Sequence, residues 1–167
     1  RETLRVTDAG IAVLAATLQR NRQARDAHEA LVARVVLEQQ RAGRIAWRGL
    51  SLRARIADTE RPKGERCAMA MPDVFSVRQT SVAGYLQPEV HEIKVRRADL
   101  LSDLRHDAKR AAYLGMAGAC WYVLAEGIGH ADEIPPECGV MVARGASFST
   151  LDVLRSAPAR AMPFEAG

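Results

Sequence analysis

No stretch of this 167-residue chain carries the roughly 18 consecutive apolar residues that cross a bilayer, and no basic, apolar and small-residue succession marks a secretory leader. A cytoplasmic chain without a membrane partner is the expectation. Cysteine is scarce: Cys67, Cys120 and Cys138 are odd in number and far apart, without the close pairs of a zinc ribbon or a disulfide framework. They read as reduced core thiols. Aromatic residues make up only 5% of the chain, which argues against a base-stacking platform for single strands, and Trp121 and Tyr122 read as core. Lysine is nearly absent, with Lys63, Lys94 and Lys109 the only three among 24 basic residues.

What remains is enough for one sizeable core. At 167 residues and 48% hydrophobic content, a single globular domain is expected rather than two. The first residue is Arg1 rather than Met, so sequence upstream of it is expected. The net charge of +4 is concentrated: Arg41 to Arg66 holds eight Lys or Arg against Asp58, Glu60 and Glu65, leaving about −1 for everything else. Such a segment suits a polyanion, since phosphate contacts release counterions. A solvated arginine face gives the same count, so charge alone names no function.

Along the chain, residues 1–20 read as an extended LRVT and an Asp8 cap, followed by Ile11, Val13, Leu14 and Leu18 at helical spacing. This extension resembles the last wing strand and following helix of winged-helix DNA-binding domains. A second helical pattern, Asn21 to Ala42, stops at Gly43. A strand follows around Ile45 to Arg55, with Leu50, Leu52 and Ala54 alternating against Ser51, Arg53 and Arg55. A loop with Pro62 and Gly64 leads to a strand at Asp73 to Arg78, then to a third at Pro88 to Val95. A long helix from Ala98 to Met116 is expected to bury Leu100, Leu101, Leu104, Ala108, Ala111 and Leu114. Strands at Cys120 to Ala125 and Gly139 to Ala143 close the domain at about residue 150, and the tail 151–167 is read as one more helix that frays. The expectation is an α/β fold, a mixed central sheet with helices on both faces.

One strand carries chemistry. In VHEIKV the side chains alternate, so Glu92 and Lys94 share one face while His91, Ile93 and Val95 take the other. Asp73, directly after Pro72, opens the neighbouring hairpin strand, where its short side chain can approach Glu92. Phosphodiester hydrolysis needs a cation to polarise the phosphoryl oxygen, and Mg²⁺ prefers carboxylate, carbonyl and water oxygens. Asp73, Glu92 and the Ile93 carbonyl supply those, with Mn²⁺ as a substitute for Mg²⁺. Lys94 can orient the attacking water or neutralise charge on the phosphate. A chain this devoted to arginine keeps a lysine where arginine, always protonated, cannot act as a tunable base.

Pro72-Asp73, a hairpin, and Glu92-Ile93-Lys94 leading into a helix resemble the PD-(D/E)xK nuclease superfamily over about Asp26 to Ala143. The resemblance implies a restriction-endonuclease-like core in the order helix, three strands, helix, strand. It also implies an acidic metal ligand from the first helix, for which Glu29 is the best positional match and Glu38 the alternative. EIKVRRADLLSDL, with Lys109 and Tyr113 after it, is similar to the MmcB-like DNA-repair branch. That likeness gives Asp103 and Lys109 a supporting role.

Other features read more simply. Asp99, Asp103 and Asp107 recur every four residues and fit a solvated helix face. Arg96 and Arg97, where the chain turns into the helix, are candidates for phosphates flanking the cut, as are Arg53 and Arg55. His28, His91, His106 and His130 lack the spacing of a metal pair and receive no catalytic task. The expected function is a metal-dependent nuclease acting on DNA, in repair or in mobile-element defence, with a homodimer as one arrangement. The alternatives are a catalytically silent nucleic-acid-binding module on the same fold and an accessory subunit acting through the helix after the motif.

Overall fold

The structure, a computed structural model, describes residues 5–57 and 64–162. The Pro62 loop, residues 1–4 and the last five residues lie outside the described set, as does the Arg55 side chain; of the LRVT stretch expected to be a strand, Arg5 to Thr7 are described and belong to no strand. Helix α1 runs from Asp8–Arg41, and the two helical patterns of the sequence are one element. Nothing between Ile11 and Ala42 interrupts it, because no glycine or proline occurs there. Its cap is Thr7 rather than Asp8: the Thr7 hydroxyl accepts from the Gly10 amide, while Asp8 complements the helix dipole from the first turn. Gly43, at a φ of +75°, takes the left-handed conformation that stops the helix.

The stretch read as one strand at 45–55 is two. Strand β1 (Arg44–Arg48) joins the main sheet, Gly49 turns the chain at a φ of +54°, and β2 (Leu52–Ala57) pairs with β3 (Glu65–Ala70) in a separate antiparallel hairpin. The sequence reading missed β3 altogether. Then come β4 (Val74–Arg78), β5 (Glu89–Lys94), α2 (Arg97–Asp103), α3 (Asp107–Met116), β6 (Ala119–Ala125), β7 (Gly139–Arg144) and β8 (Thr150–Arg155). The six-stranded sheet is mixed, in the order β1-β4-β5-β6-β7-β8, with β5, β6 and β7 parallel and the outer pairings antiparallel. The tail expected as a helix forms edge strand β8, held by the Arg155 guanidinium, which donates to the carbonyls of Ala131, Ile134, Pro135 and Cys138.

Both faces of the sheet are covered. On one, Leu31, Val32 and Val35 of α1 pack against Val74, Ile93 and Val123. On the other, Leu100 of α2 and Ala112 and Tyr113 of α3 meet Val90, Tyr122, Leu124 and Val140, with Ala54 and Ile56 of the hairpin in the same cluster. The helix expected over 98–116 breaks at Leu104 to His106, where tighter backbone bonds close onto Ser102 and Asp103. That break changes the phase of the second half. Ala112 and Tyr113 are buried, while Leu101, Ala108 and Ala111 from the expected stripe are exposed. Cys120 and Cys138 are core thiols, which burial holds at about 11 and about 12, but Cys67 is exposed on β3.

Candidate active site

Strands β4 and β5 pair only as far as Val74 opposite His91. Beyond that point they part, and the sequence motif sits at the divergence. Asp73, released from the ladder, places Oδ2 2.8 Å from the Ile93 amide, which donates to it in place of a strand partner. The corner at Gly49 is tied to the same residue, its amide donating to the Asp73 carbonyl at 3.1 Å. Two backbone bonds therefore fix where this carboxylate stands. Burial alone would raise its pKa, but the His28 hydrogen bond and the Ile93 amide outweigh that and hold it below the usual carboxylate value.

His28 is the residue that the sequence reading passed over. Its Nε2 lies 3.3 Å from Asp73 Oδ1, and that carboxylate raises the imidazole pKa against the opposing effect of burial. Helical phase makes it legible in retrospect, since positions 28, 31, 32, 35 and 39 form the one face of α1 that meets the sheet. Glu29, the acid expected from this helix, instead forms an ion pair with Arg48, although it lines the same hollow as His28 and Asp73. Glu38 pairs with Arg34 one turn back.

On the opposite face of β5, Glu92 and Lys94 do share a side, as alternation requires. Glu92 is 4% exposed, and the three groups hydrogen-bonded to it all donate. Lys94 Nζ is 2.5 Å from Oε1, Lys109 Nζ 2.6 Å from the same oxygen, and the Tyr113 hydroxyl donates to Oε2 at 2.8 Å. Asp103, read in the sequence as part of a solvated stripe, is buried and completes the group. Its Oδ1 accepts from Lys109 at 2.6 Å and lies 3.3 Å from Lys94, and its Oδ2 accepts from the Tyr122 hydroxyl at 2.7 Å. Two acids and two lysines thus alternate, roofed by two phenols. Burial opposes charge on Asp103, but Lys109, Lys94 and Tyr122 more than offset it and keep its pKa low. Burial likewise opposes charge on Lys109, yet Glu92 and Asp103 hold its pKa above the usual ammonium value. Tyr113 and Tyr122 are pushed up by burial and by the adjacent carboxylates, so both remain phenols.

A cleft of about 370 Å³ opens onto this divergence, lined by Arg25, His28, Asp73, Ile93, Lys94 and Arg96 among others. It shares His28 and Asp73 with the hollow toward Arg48, and Arg96 and Asn21 with one toward Arg20. Arg96 is held at its rim, donating to the Arg20 carbonyl at 2.6 Å and to Asn21 Oδ1 at 3.2 Å. Arg97 turns away to a two-pronged pair with Glu133 at 2.8 and 2.5 Å. Arg53 is exposed on the hairpin, outside this cleft.

The donors suit a hard divalent cation in kind: two carboxylates and the Ile93 carbonyl are all oxygen, and Mg²⁺, which keeps several waters, needs only one or two carboxylates. Among the described residues, no three His, Cys, Asp or Glu side chains converge into a metal cluster, so the set stops at two carboxylates and a carbonyl. Glu92 Oε1 accepts from Lys94 and Lys109 and Oε2 from Tyr113, so a cation at Glu92 would share or displace these donors. Compared with known proteins, the chain matches no family model, no curated protein and no solved structure.

Proposed function

We propose that this chain is a metal-dependent nuclease of the PD-(D/E)xK type, hydrolysing DNA phosphodiester bonds at the divergence of β4 and β5. The single observation behind this reading is that Asp73 and Lys94 line one cleft on either side of Ile93, Asp73 bonded to the Ile93 amide and Lys94 to the buried Glu92, with Arg25 and Arg96 in the same lining. Bound Mg²⁺, held by Asp73, Glu92 and the Ile93 carbonyl, would polarise a phosphoryl oxygen and supply an activated water. The protein's own groups do the rest. Asp73 is kept ionised and aimed by the Ile93 amide and His28. Lys94 reaches the cleft from the strand and places its ammonium where charge builds on the phosphate or where a water must be oriented. Arg96, its guanidinium fixed by three bonds to α1, holds a flanking phosphate. Asp103, Lys109 and the two tyrosines position Glu92 and Lys94 without themselves lining this cleft.

A repair or mobile-element-defence role fits this chemistry, as does the restriction-endonuclease-like core: first helix, strand hairpin, motif strand, helix, parallel strand. Labelled single-stranded, duplex and branched DNA, incubated with Mg²⁺ or Mn²⁺, tests the reading on the native chain and on Asp73→Ala. Metal-dependent cutting lost in the variant supports it; an unaffected variant overturns it.

A second reading draws on one specific observation, that both oxygens of Glu92 are already taken by Lys94, Lys109 and Tyr113. A catalytically silent nucleic-acid-binding module would keep such a closed network and still present the basic cleft. It predicts salt-sensitive binding, no cutting, and no effect of Glu92→Gln on affinity.

A further inference from the structure

Burial in α1 begins only at Leu31, and among the described residues the helix is first anchored to the rest of the molecule near Arg20 and Asn21, where Arg96 donates to it. The twelve residues before that anchor extend roughly 18 Å further at 1.5 Å per residue. This arm is apolar, with Ile11 55%, Leu14 56% and Leu18 67% exposed. An isolated helix of this length is marginal in water, and an uncovered apolar surface on it calls for a partner.

Its charge pattern says which partner. Asp8, Ile11, Ala15, Leu18 and Arg22 follow one another at steps of three and four, so they form one stripe along the arm. Read in order, the stripe is acid, apolar, alanine, apolar, base. Reversed about Ala15, it complements itself: Asp8 meets Arg22, Ile11 meets Leu18, and the small alanine lies at the crossing. A parallel pairing would set Asp8 against Asp8 and Arg22 against Arg22, and a nucleic acid would find no cation between Asp8 and Arg20. We propose that this arm is a dimerisation surface that pairs antiparallel with the arm of a second copy of this chain. The antiparallel sense also sets the two helix dipoles in their favourable orientation.

Sedimentation velocity from low to high micromolar concentration tests it, on the native chain, Leu18→Glu, Asp8→Arg, Arg22→Asp and the double variant Asp8→Arg/Arg22→Asp. These positions are exposed and outside the core, and thermal melts of each variant confirm that the domain remains folded. The native chain is expected to be a dimer and Leu18→Glu a monomer. Each single charge reversal touches both ends of a symmetric pair and should weaken association about tenfold, with the double variant restoring it. A native chain that is monomeric throughout overturns the proposal. So does a dimer indifferent to Leu18→Glu, or one that the double charge exchange fails to restore.

Discussion

Glu92 and Asp103 are buried acids whose charge is tolerated because Lys94 and Lys109 stand between them. Removing one cation leaves a carboxylate short of a partner in a low-dielectric site, which costs more than the pair itself contributes. Lys109→Met is therefore expected to lower unfolding free energy by about 1–2 kcal/mol, a figure reduced from the fully buried case because Lys109 is partly solvated. Urea denaturation at neutral pH checks it, and an unchanged midpoint would show the network to be slack. His91 makes a separate pH prediction. It is fully buried among Gln39, Arg44 and the Trp121 ring, and burial first, then Arg44, push its pKa down to about 3. The unfolded chain therefore binds a proton that the folded one refuses between about pH 6.5 and pH 3, and stability is lost as pH falls through that window. The slope from this group is up to about 1.4 kcal/mol per pH unit. Denaturation of His91→Phe across the window should show the slope reduced; parallel curves would mean that His91 is not the group responsible.

The shared face of Glu92 and Lys94, and the place of Asp73 at the opening of the neighbouring strand, were legible because alternation and a Pro-Asp step fix direction within a few residues. His28 and Tyr122 were not, and the burial of Asp103, which the resemblance had given only a supporting role, was not either, for three different reasons. His28 needed the phase of α1 relative to Leu31, Val32 and Val35, which no local pattern supplies. Asp103 sits in a regular repeat of acids, and its burial follows from the break after it. The Tyr122 ring belongs to the core while only its hydroxyl reaches Asp103.

At the scale of elements, continuity and breaks decided what the sequence showed. An uninterrupted α1 hides behind a chain whose apolar stripe changes direction near Asn21, and the α2–α3 break occurs without any glycine or proline. Strand β3 went unread because its inward residues, the partly buried Ala68 and the buried Ala70, are small and because it pairs with β2 rather than with the main sheet. Strand β7 is better marked, by Gly139, where a methyl group would lie 2.4 Å from the Trp121 ring and 2.6 Å from the Ala157 amide nitrogen. The backbone contact cannot move as a side chain would. Gly139→Ala is expected to cost about 1–3 kcal/mol by overpacking, read as a lowered thermal midpoint, and a neutral substitution would show that the strap after β8 gives way.

For the whole molecule, the α/β class, the mixed sheet and the covering of both its faces were readable from alternation and helical period, whereas the β2–β3 hairpin and the edge strand β8, which rests on its pairing with β7 and on the Arg155 guanidinium, were not. The row of adjoining hollows from Arg48 past Asp73 to Arg96 and Arg20, which share lining residues, is also a property of the assembled fold. If it carries a nucleic-acid backbone, affinity falls linearly as salt rises on logarithmic axes. Arg96→Ala is then expected to reduce that slope by about one contact. An unaltered slope would place the backbone elsewhere. The most direct test of the account is metal-dependent cleavage of DNA by the native chain beside Lys94→Arg, which keeps the charge but not a tunable ammonium. Cutting that requires Mg²⁺ or Mn²⁺ and falls about 100-fold or more in Lys94→Arg is the predicted result; no cutting by the native chain, or cutting that Lys94→Arg retains in full, would contradict it.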